Sequence, residues 1–478
     1  MPDIRTVSPP QGTCQGRLRA PCAWGGLALL LMLGSALTAQ AQDEPAPPPT
    51  TLTIQAPSWA KVTEGNDPNT TARPSSEREH HHAWNAEHLE WIRTFVKTPM
   101  TDPLGRYALA RRLDEAIGAE AVRAALPHAF PYPALAGGVV ERRVTLEDGT
   151  QVPYTLYVPR DYDRTTPYPM HIHLHGGGSG VTGHASCFKN WGRAAKRRWV
   201  LVCPSTPEGR WWTPEGDASL EAVYKEVIQW VNIDTDRVSV GGLSNGGTGT
   251  WHLALKYPWQ WSVVVPRCAA RMTHHLPNMA GIWSYVIHGA LDHKIKVENS
   301  RKMTEALERM GQRVEYVEVA DGGHQFFRDR MTPKLRWWML KRKRRLRHRF
   351  VYSQLEGNDP GIIHWVDAPG LTGTLRGQLP NPKKTEPGDE GFNRIELESS
   401  QLSGPVRVYL PTSRIDLNAP VHVLLNGTPL FEGHVTPSAW DVLSSYARSR
   451  DRGRIFTASV TIHPPPTTAP SEEKAPKP

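Results

Sequence analysis

The sequence predicts an α/β fold: a largely parallel sheet covered on both faces by helices, with an N-terminal helical extension and a small C-terminal β module. Three observations predict it. Between Gly137 and Arg345, short apolar strands alternate with amphipathic stretches of helical length. Before that region apolar residues recur at helical spacing, and after it come short alternating segments separated by Gly, Pro and Asn. At 478 residues the chain is too long for one compact domain and calls for two or three.

The first element is an address. Arg17 and Arg19 precede an uncharged stretch from Ala20 to Gln42, whose apolar heart is Leu27 to Leu33. Ala39-Gln40-Ala41 then presents small residues to a signal peptidase. The apolar run is shorter than the roughly 20 residues needed to cross a bilayer. Residues 1–41 are therefore expected to be a cleaved signal, leaving an exported protein, periplasmic or secreted, without a stable membrane span. Residues 42–136 read as a Pro-, Thr- and Ser-rich leader followed by helices, expected to pack on the next domain. Leu89, Trp91, Ile92, Phe95 and Val96 fall near helical spacing, as do Leu109, Leu113, Ile117, Val122 and Leu126. His80-His81-His82 receives no ligand role.

The central domain, 137–345, opens with strands Val139–Leu146 and Val152–Val158, joined by a turn containing Asp148-Gly149. Strands follow at Met170–Leu174, Trp199–Cys203, Arg237–Gly241, Trp261–Pro266, Trp283–His288 and Val314–Val319. Helices are expected over Ser219–Val231, from Ser244 to Tyr257, and over Glu298–Met310. Leu335 to Leu340 reads as an amphipathic last helix. Residues 346–464 form the β module, expected to be antiparallel, with segments Val406–Leu410, Val421–Leu425 and Phe456–Ile462; 465–478 are a disordered tail.

The formal charge of +9 is concentrated in Lys341-Arg342-Lys343-Arg344-Arg345 with Arg347 and Arg349. This run is expected to be a solvated helix face, the alternative being docking to an acidic polymer or membrane; no nucleic-acid partner is expected. Beyond the signal stand Cys187, Cys203 and Cys268, so at most one disulfide forms. Their spacing matches no zinc site.

The decisive segment is Val238-Ser239-Val240-Gly241-Gly242-Leu243-Ser244-Asn245-Gly246-Gly247. A strand, Gly-x-Ser-x-Gly, then a helix-compatible run exposes a serine on a sharp turn, which makes Ser244 the candidate nucleophile. Upstream, His173-Leu174-His175-Gly176-Gly177-Gly178 follows a strand, where backbone N–H groups can stabilise an oxyanion. Asn245 N–H should supply one donor and Gly176 or, by preference, Gly177 the other. His171, His173 and His175 alternate along the strand, but no carboxylate or cysteine stands at ligand spacing, so they read as core residues and no metal or other cofactor is expected.

A base and an acid must come from later strand ends. His324 follows the strand ending at Val319, and Asp292 follows the strand ending at Ile287. His324 would take the serine proton while Asp292 fixes its tautomer. The rivals are Asp321 for the acid and His288 or His293 for the base. Trp211-Trp212 follows the fourth strand and is a candidate substrate-stacking pair on the catalytic rim.

These motifs resemble the α/β-hydrolase superfamily, in the branch of prolyl-oligopeptidase-like hydrolases, feruloyl and acetylxylan esterases and polyhydroxyalkanoate depolymerases. Tyr154 to Pro159, Leu174 to Gly178, Asp236-Arg237-Val238 before the Gly242–Gly247 turn, His288-Gly289-x-x-Asp292 and Gly322-Gly323-His324 carry the resemblance in order. It implies the Ser244, Asp292, His324 triad and the same oxyanion hole. Asn245 departs from the Met, Ala or Gln often found after the serine. Val406 to Asn426 also resembles a β module trailing such hydrolases. The expected activity is metal-independent hydrolysis of carboxylic esters, on a small molecule or an esterified polysaccharide. A serine peptidase is the rival within the branch, and a non-catalytic carbohydrate-binding or envelope protein the rival from another class.

Overall fold

The computed structural model describes residues 83–465, apart from 178–179, 192–197, 207–208, 328–332, 356–359, 382–386, 388, 390 and 400. The signal, the leader, the His80–His82 run and most of the tail lie outside these residues.

The chain enters through α1 (Ala86–Lys97), α2 (Pro103–Ala116) and α3 (Gly118–Ala129). The central sheet follows as β1 (Gly138–Thr145), β2 (Gln151–Val158), β3 (Tyr168–Leu174), α4 (Gly183–Trp191), β4 (Val200–Pro204), α5 (Pro214–Trp230), β5 (Ile233–Leu243) and α6 (Asn245–Lys256). It is completed by β6 (Val263–Arg267), β7 (Trp283–Gly289), α7 (Glu298–Arg309), β8 (Val314–Val319) and α8 (Pro333–Leu340). Its eight strands run in the order β1-β2-β4-β3-β5-β6-β7-β8, antiparallel at β1–β2 and β2–β4 and parallel from β4 onward. The β1–β2 hairpin closes where Asp148-Gly149 predicts a turn: Leu146 N–H donates to Thr150 O at 2.9 Å and Gly149 adopts φ 85°. Strands such as Val200–Pro204 and Val263–Arg267 are buried along their whole length, as a sheet covered on both faces requires. The helix α4 was not expected; Gly183 and Ser186 weaken its apolar period.

The C-terminal region contains β9 (Arg349–Ser353), β10 (Ile362–Ile363), β11 (Val366–Asp367), β12 (Thr374–Gln378), β13 (Arg394–Glu398), β14 (Val406–Tyr409), β15 (Val421–Leu425), β16 (Thr428–Gly433), α9 (Ala439–Ser449) and β17 (Ser459–Ile462). They make a five-stranded sheet, β16-β15-β13-β12-β9, and a four-stranded one, β10-β11-β14-β17. The expectation of a purely antiparallel module is corrected twice: β13 pairs in parallel with β15, and α9 crosses between β16 and β17. The core is continuous with that of the central sheet. Asn278 stitches the two, its Nδ2 donating to Leu255 O and Ser353 O at 2.8 Å each while its Oδ1 accepts from Ser353 N–H.

The helical extension does not pack on the central sheet as expected. Its apolar stripe (Ile92, Phe95, Leu113, Val122, Leu126) forms a separate core with Val442, Leu443 and Tyr446 of α9. Phe95 meets Trp440 edge-on at 5.6 Å, and Asp114 accepts the Ala439 N–H at the start of α9. An amphipathic stripe specifies that a face is covered, not by what.

The basic run also departs from a solvated helix face. After α8 the chain leaves helical geometry, and the Arg344 side chain is buried. It pairs with Asp236 at 3.0 Å and Asp451 at 2.8 Å and donates to Trp259 O at 2.9 Å. Arg342 covers the rings of Trp283 and Trp338. Among the described residues no helix is long and apolar enough to cross a membrane. Cys187, Cys203 and Cys268 are all buried and free, so the permitted disulfide does not form.

Candidate active site

Ser244 alone makes the turn between β5 and α6. Its backbone sits at φ 59° and ψ −122°, a conformation that L residues seldom adopt. Ser244 N–H donates to Arg267 O on β6 at 3.0 Å, and Ser244 O accepts from Thr248 N–H at 2.9 Å. A Cβ on Gly242 would stand 2.5 Å from Gly246 C, and one on Gly246 would stand 2.3 Å from Leu174 O. Both positions therefore demand glycine, which is the steric origin of the Gly-x-Ser-x-Gly spacing. The serine lies at the N-terminus of α6, whose partial positive charge favours a developing anion.

The loops after β7 and β8 are laced together by backbone. Ala290 N–H donates to Val319 O and Leu291 N–H to Gly322 O, both at 2.8 Å. Gly289 permits this approach, since a Cβ there would meet Gly322 O at 2.3 Å. The lacing sets His324 Nδ1 2.8 Å from Asp292 Oδ2, whereas Asp321 is exposed. A carboxylate here can only accept, so Nδ1 carries the proton and Nε2 is left as the basic nitrogen. Asp292 is buried, and its Oδ1 accepts Lys294 N–H at 2.8 Å and Ile295 N–H at 3.0 Å. Burial alone would raise the Asp292 carboxyl, but hydrogen bonds from Ile295 N–H, His324, Lys294 N–H and the Cys268 thiol hold it below the ordinary carboxylate range.

Ser244 and His324 line one cavity of about 330 Å³, together with His175, Gly176, Gly177, Ser186, Cys187 and Lys294. A Cβ on Gly177 would stand 2.7 Å from Asn245 Nδ2, and that amide donates to Gly209 O at 3.1 Å. The Asn245 side chain thus bonds to the chain following β4 and lies close against Gly177, while its backbone N–H is the first of α6.

Trp211 is corrected. It is fully buried beneath the glycine loop, its Nε1–H donates to His175 O at 2.9 Å, and its ring meets His175 edge-on. A buried indole needs an acceptor and finds it in this backbone carbonyl, so Trp211 is a support rather than a stacking platform. Trp212 is half-buried and does not line the Ser244 cavity.

The strand histidines are core residues. His171 Nδ1 lies 2.9 Å from Ser239 Oγ, His173 meets Phe326 edge-on, and burial pushes both well below the ordinary imidazole range. His175 Nδ1 donates to Gly176 O at 2.8 Å, so Nε2 accepts from Thr206 N–H at 3.2 Å. His288 is buried, its Nε2–H donating to Ile295 O at 2.8 Å and lying 3.3 Å from Asp292 Oδ2; its Nδ1 meets Ser300 Oγ at 2.6 Å. It braces Asp292 and does not line the Ser244 cavity. His293 is exposed and does not line the cavity.

Sequence reasoning passed over Cys268. Its thiol lies beside Asp292 and His324, with one ligand atom from each of the three within 4.8 Å of the others. Burial pushes the thiol up to about 12, and it hydrogen-bonds to Asp292, whose Oδ2 also holds His324 Nδ1 at 2.8 Å. Nothing local in the sequence marks Cys268, because its role depends on β6 lying beside β7. Lys294 likewise was not singled out, although it stands two residues from Asp292.

The family described as phospholipase/carboxylesterase matches residues 213–334, a span that includes Ser244, Asp292 and His324. No curated protein matches the chain in sequence. Among solved structures, the chain is similar to a thermostable esterase (24% identity, TM-score 0.40, covering 43% of this chain and 63% of that one). It is also similar to a putative dipeptidyl aminopeptidase IV from Bacteroides ovatus (17%, TM-score 0.38, 44% and 37%). A fluorophosphonate-binding serine hydrolase of Staphylococcus aureus is a third (17%, TM-score 0.35, 43% and 99%). The chain thus spans less than two thirds of the length of the first two.

Proposed function

We propose that the chain is a serine hydrolase of the α/β-hydrolase kind that cleaves carboxylic esters through an acyl-enzyme on Ser244, a reading supported by the phospholipase/carboxylesterase match over residues 213–334. The observation that carries this reading is the strained Ser244 turn opening into the same cavity as His324, whose far nitrogen is held by Asp292. His324 Nε2 accepts the Ser244 proton as Oγ attacks the carbonyl carbon. The N–H groups of Gly177 and Asn245 receive the oxyanion, and the imidazolium, held by Asp292, returns its proton to the leaving alcohol. Water repeats the sequence to release the acid.

The cavity volume suits a small acyl group. Extension to esterified polysaccharide rests on Trp212 alone, since Trp211 is buried. Export is supported by Arg17, Arg19, the apolar run 27–33 and Ala39-Gln40-Ala41. A fluorophosphonate probe should label the mature protein at Ser244, and Ser244→Ala should abolish labelling and ester turnover. Labelling that survives this substitution overturns the assignment. Acetyl, feruloyl and short acyl esters assayed beside aminoacyl amides separate esterase from peptidase.

A further inference from the structure

A second cavity, of about 260 Å³, opens where α3, the start of β5 and the segment after α9 meet. Arg123, Arg344 and Arg454 line it together with Asp236, the ion-pair partner of Arg344, and Leu410 and Phe456 give it an apolar wall. It is remote from the chemistry, because about 23 Å of strand separates Asp236 on its lining from Leu243, the residue before the nucleophile.

The two arginines at its inner side differ in their partners. Arg344 donates to Asp236, Trp259 O, Thr235 Oγ1 and Asp451. Arg454 Nη1 and Nη2 are buried and hydrogen-bond to no described group. Asp451 is already engaged, by Arg344, by the Thr235 hydroxyl at 2.6 Å and by Gly453 N–H at 2.9 Å. Burial, then the Arg344 charge, pull the Arg454 guanidinium down to about 9, which leaves it protonated at neutral pH. A guanidinium has donors only, and burying it without acceptors is costly. Carboxylate and phosphate offer two acceptors in the geometry of its fork.

We propose that this cavity binds a small molecule or sugar residue bearing a carboxylate or phosphate, gripped by Arg454 and separate from the ester-cleaving site. Arg123 adds charge at the cavity, and the Leu410 and Phe456 wall accommodates the body that carries the anion.

The test measures the Tm of the full chain in inorganic phosphate, in glucuronate, and in sodium chloride of matched ionic strength. A saturable rise in phosphate or glucuronate beyond chloride is expected, and which of them acts identifies the anion. Arg454→Gln should weaken that binding by roughly tenfold or more, the loss of a charge-assisted bidentate contact. Turnover of a small ester should be unchanged. No rise beyond chloride, or a rise that Arg454→Gln leaves intact, overturns the proposal. Should Arg454→Gln fail to fold, Ser413→Asp sets a carboxylate on the exposed lining and must abolish the rise; a rise that persists in it is equally fatal.

Discussion

His324 Nδ1 and Asp292 Oδ2 lie 2.8 Å apart across 32 residues of sequence, brought together because the loops after β7 and β8 share backbone hydrogen bonds. The same carboxylate receives two loop N–H groups through its other oxygen, so its orientation is fixed before His324 reaches it. His288 and Cys268 brace it from behind, one from β7 and one from the end of β6.

Asp292→Asn should lower kcat by up to about 10⁴, the loss found when a triad aspartate becomes an amide that favours the wrong histidine tautomer. Asp321→Asn should cost about tenfold or less, since 1.4 kcal/mol covers a loosened loop. Circular dichroism should be unchanged in both. The reverse ranking would remove Asp292 from the role of acid.

The Asp292 carboxyl is held below its ordinary range, so the folded protein resists protonating it more than the unfolded chain does. Its stabilisation is therefore fully present above the unfolded value of about 3.9 and is lost as pH falls through the lower folded value. In urea titrations the stability difference between wild type and Asp292→Asn should be constant from neutral pH to about 5 and shift only below about 4. A shift centred near neutrality would contradict this.

Gly246→Ala should abolish activity and destabilise by about 3 kcal/mol, because its Cβ would press on Leu174 O and His175 O, backbone atoms that cannot swing aside. Chemical denaturation of the variant measures the loss. A folded variant with full turnover would show that the elbow tolerates a methyl group.

Trp211→Phe keeps an aromatic ring but removes the donor to His175 O, leaving a buried carbonyl unpaired at a cost of about 1–3 kcal/mol on top of the cavity left by the smaller ring. Because His175 adjoins the glycine loop, kcat should fall while KM for a small ester changes little. A rise in KM with unchanged kcat would instead indicate direct substrate contact.

Arg344→Met should destabilise by about 3–5 kcal/mol, since Asp451 is left as a buried charge without its main partner. The additional variant Asp451→Asn should recover part of that loss, which a double-mutant cycle in urea reads directly. Additive losses would mean that the two side chains do not communicate.

The sequence by itself determined what short range and sterics decide. The Gly242 and Gly246 requirement, the Asp148-Gly149 hairpin, the alternation of strands and helices through the central domain, and the placing of Asp292 and His324 after successive strands were all legible, because each follows from a few contiguous residues. Only the tertiary structure decided which partners those residues meet. Trp211 could as well have stood on a rim, and its burial depends on α6 leaving room at Gly249, where a Cβ would meet the Trp211 side chain at 2.3 Å. Arg344 looked like one more solvated charge until β5 and the segment after α9 brought Asp236 and Asp451 to it. The α1–α3 stripe announced a buried face but found it on α9, more than 300 residues further along the chain. Periodicity and turn chemistry are properties of adjacent residues, whereas desolvation and ion pairing belong to groups that meet only once the chain has closed on itself.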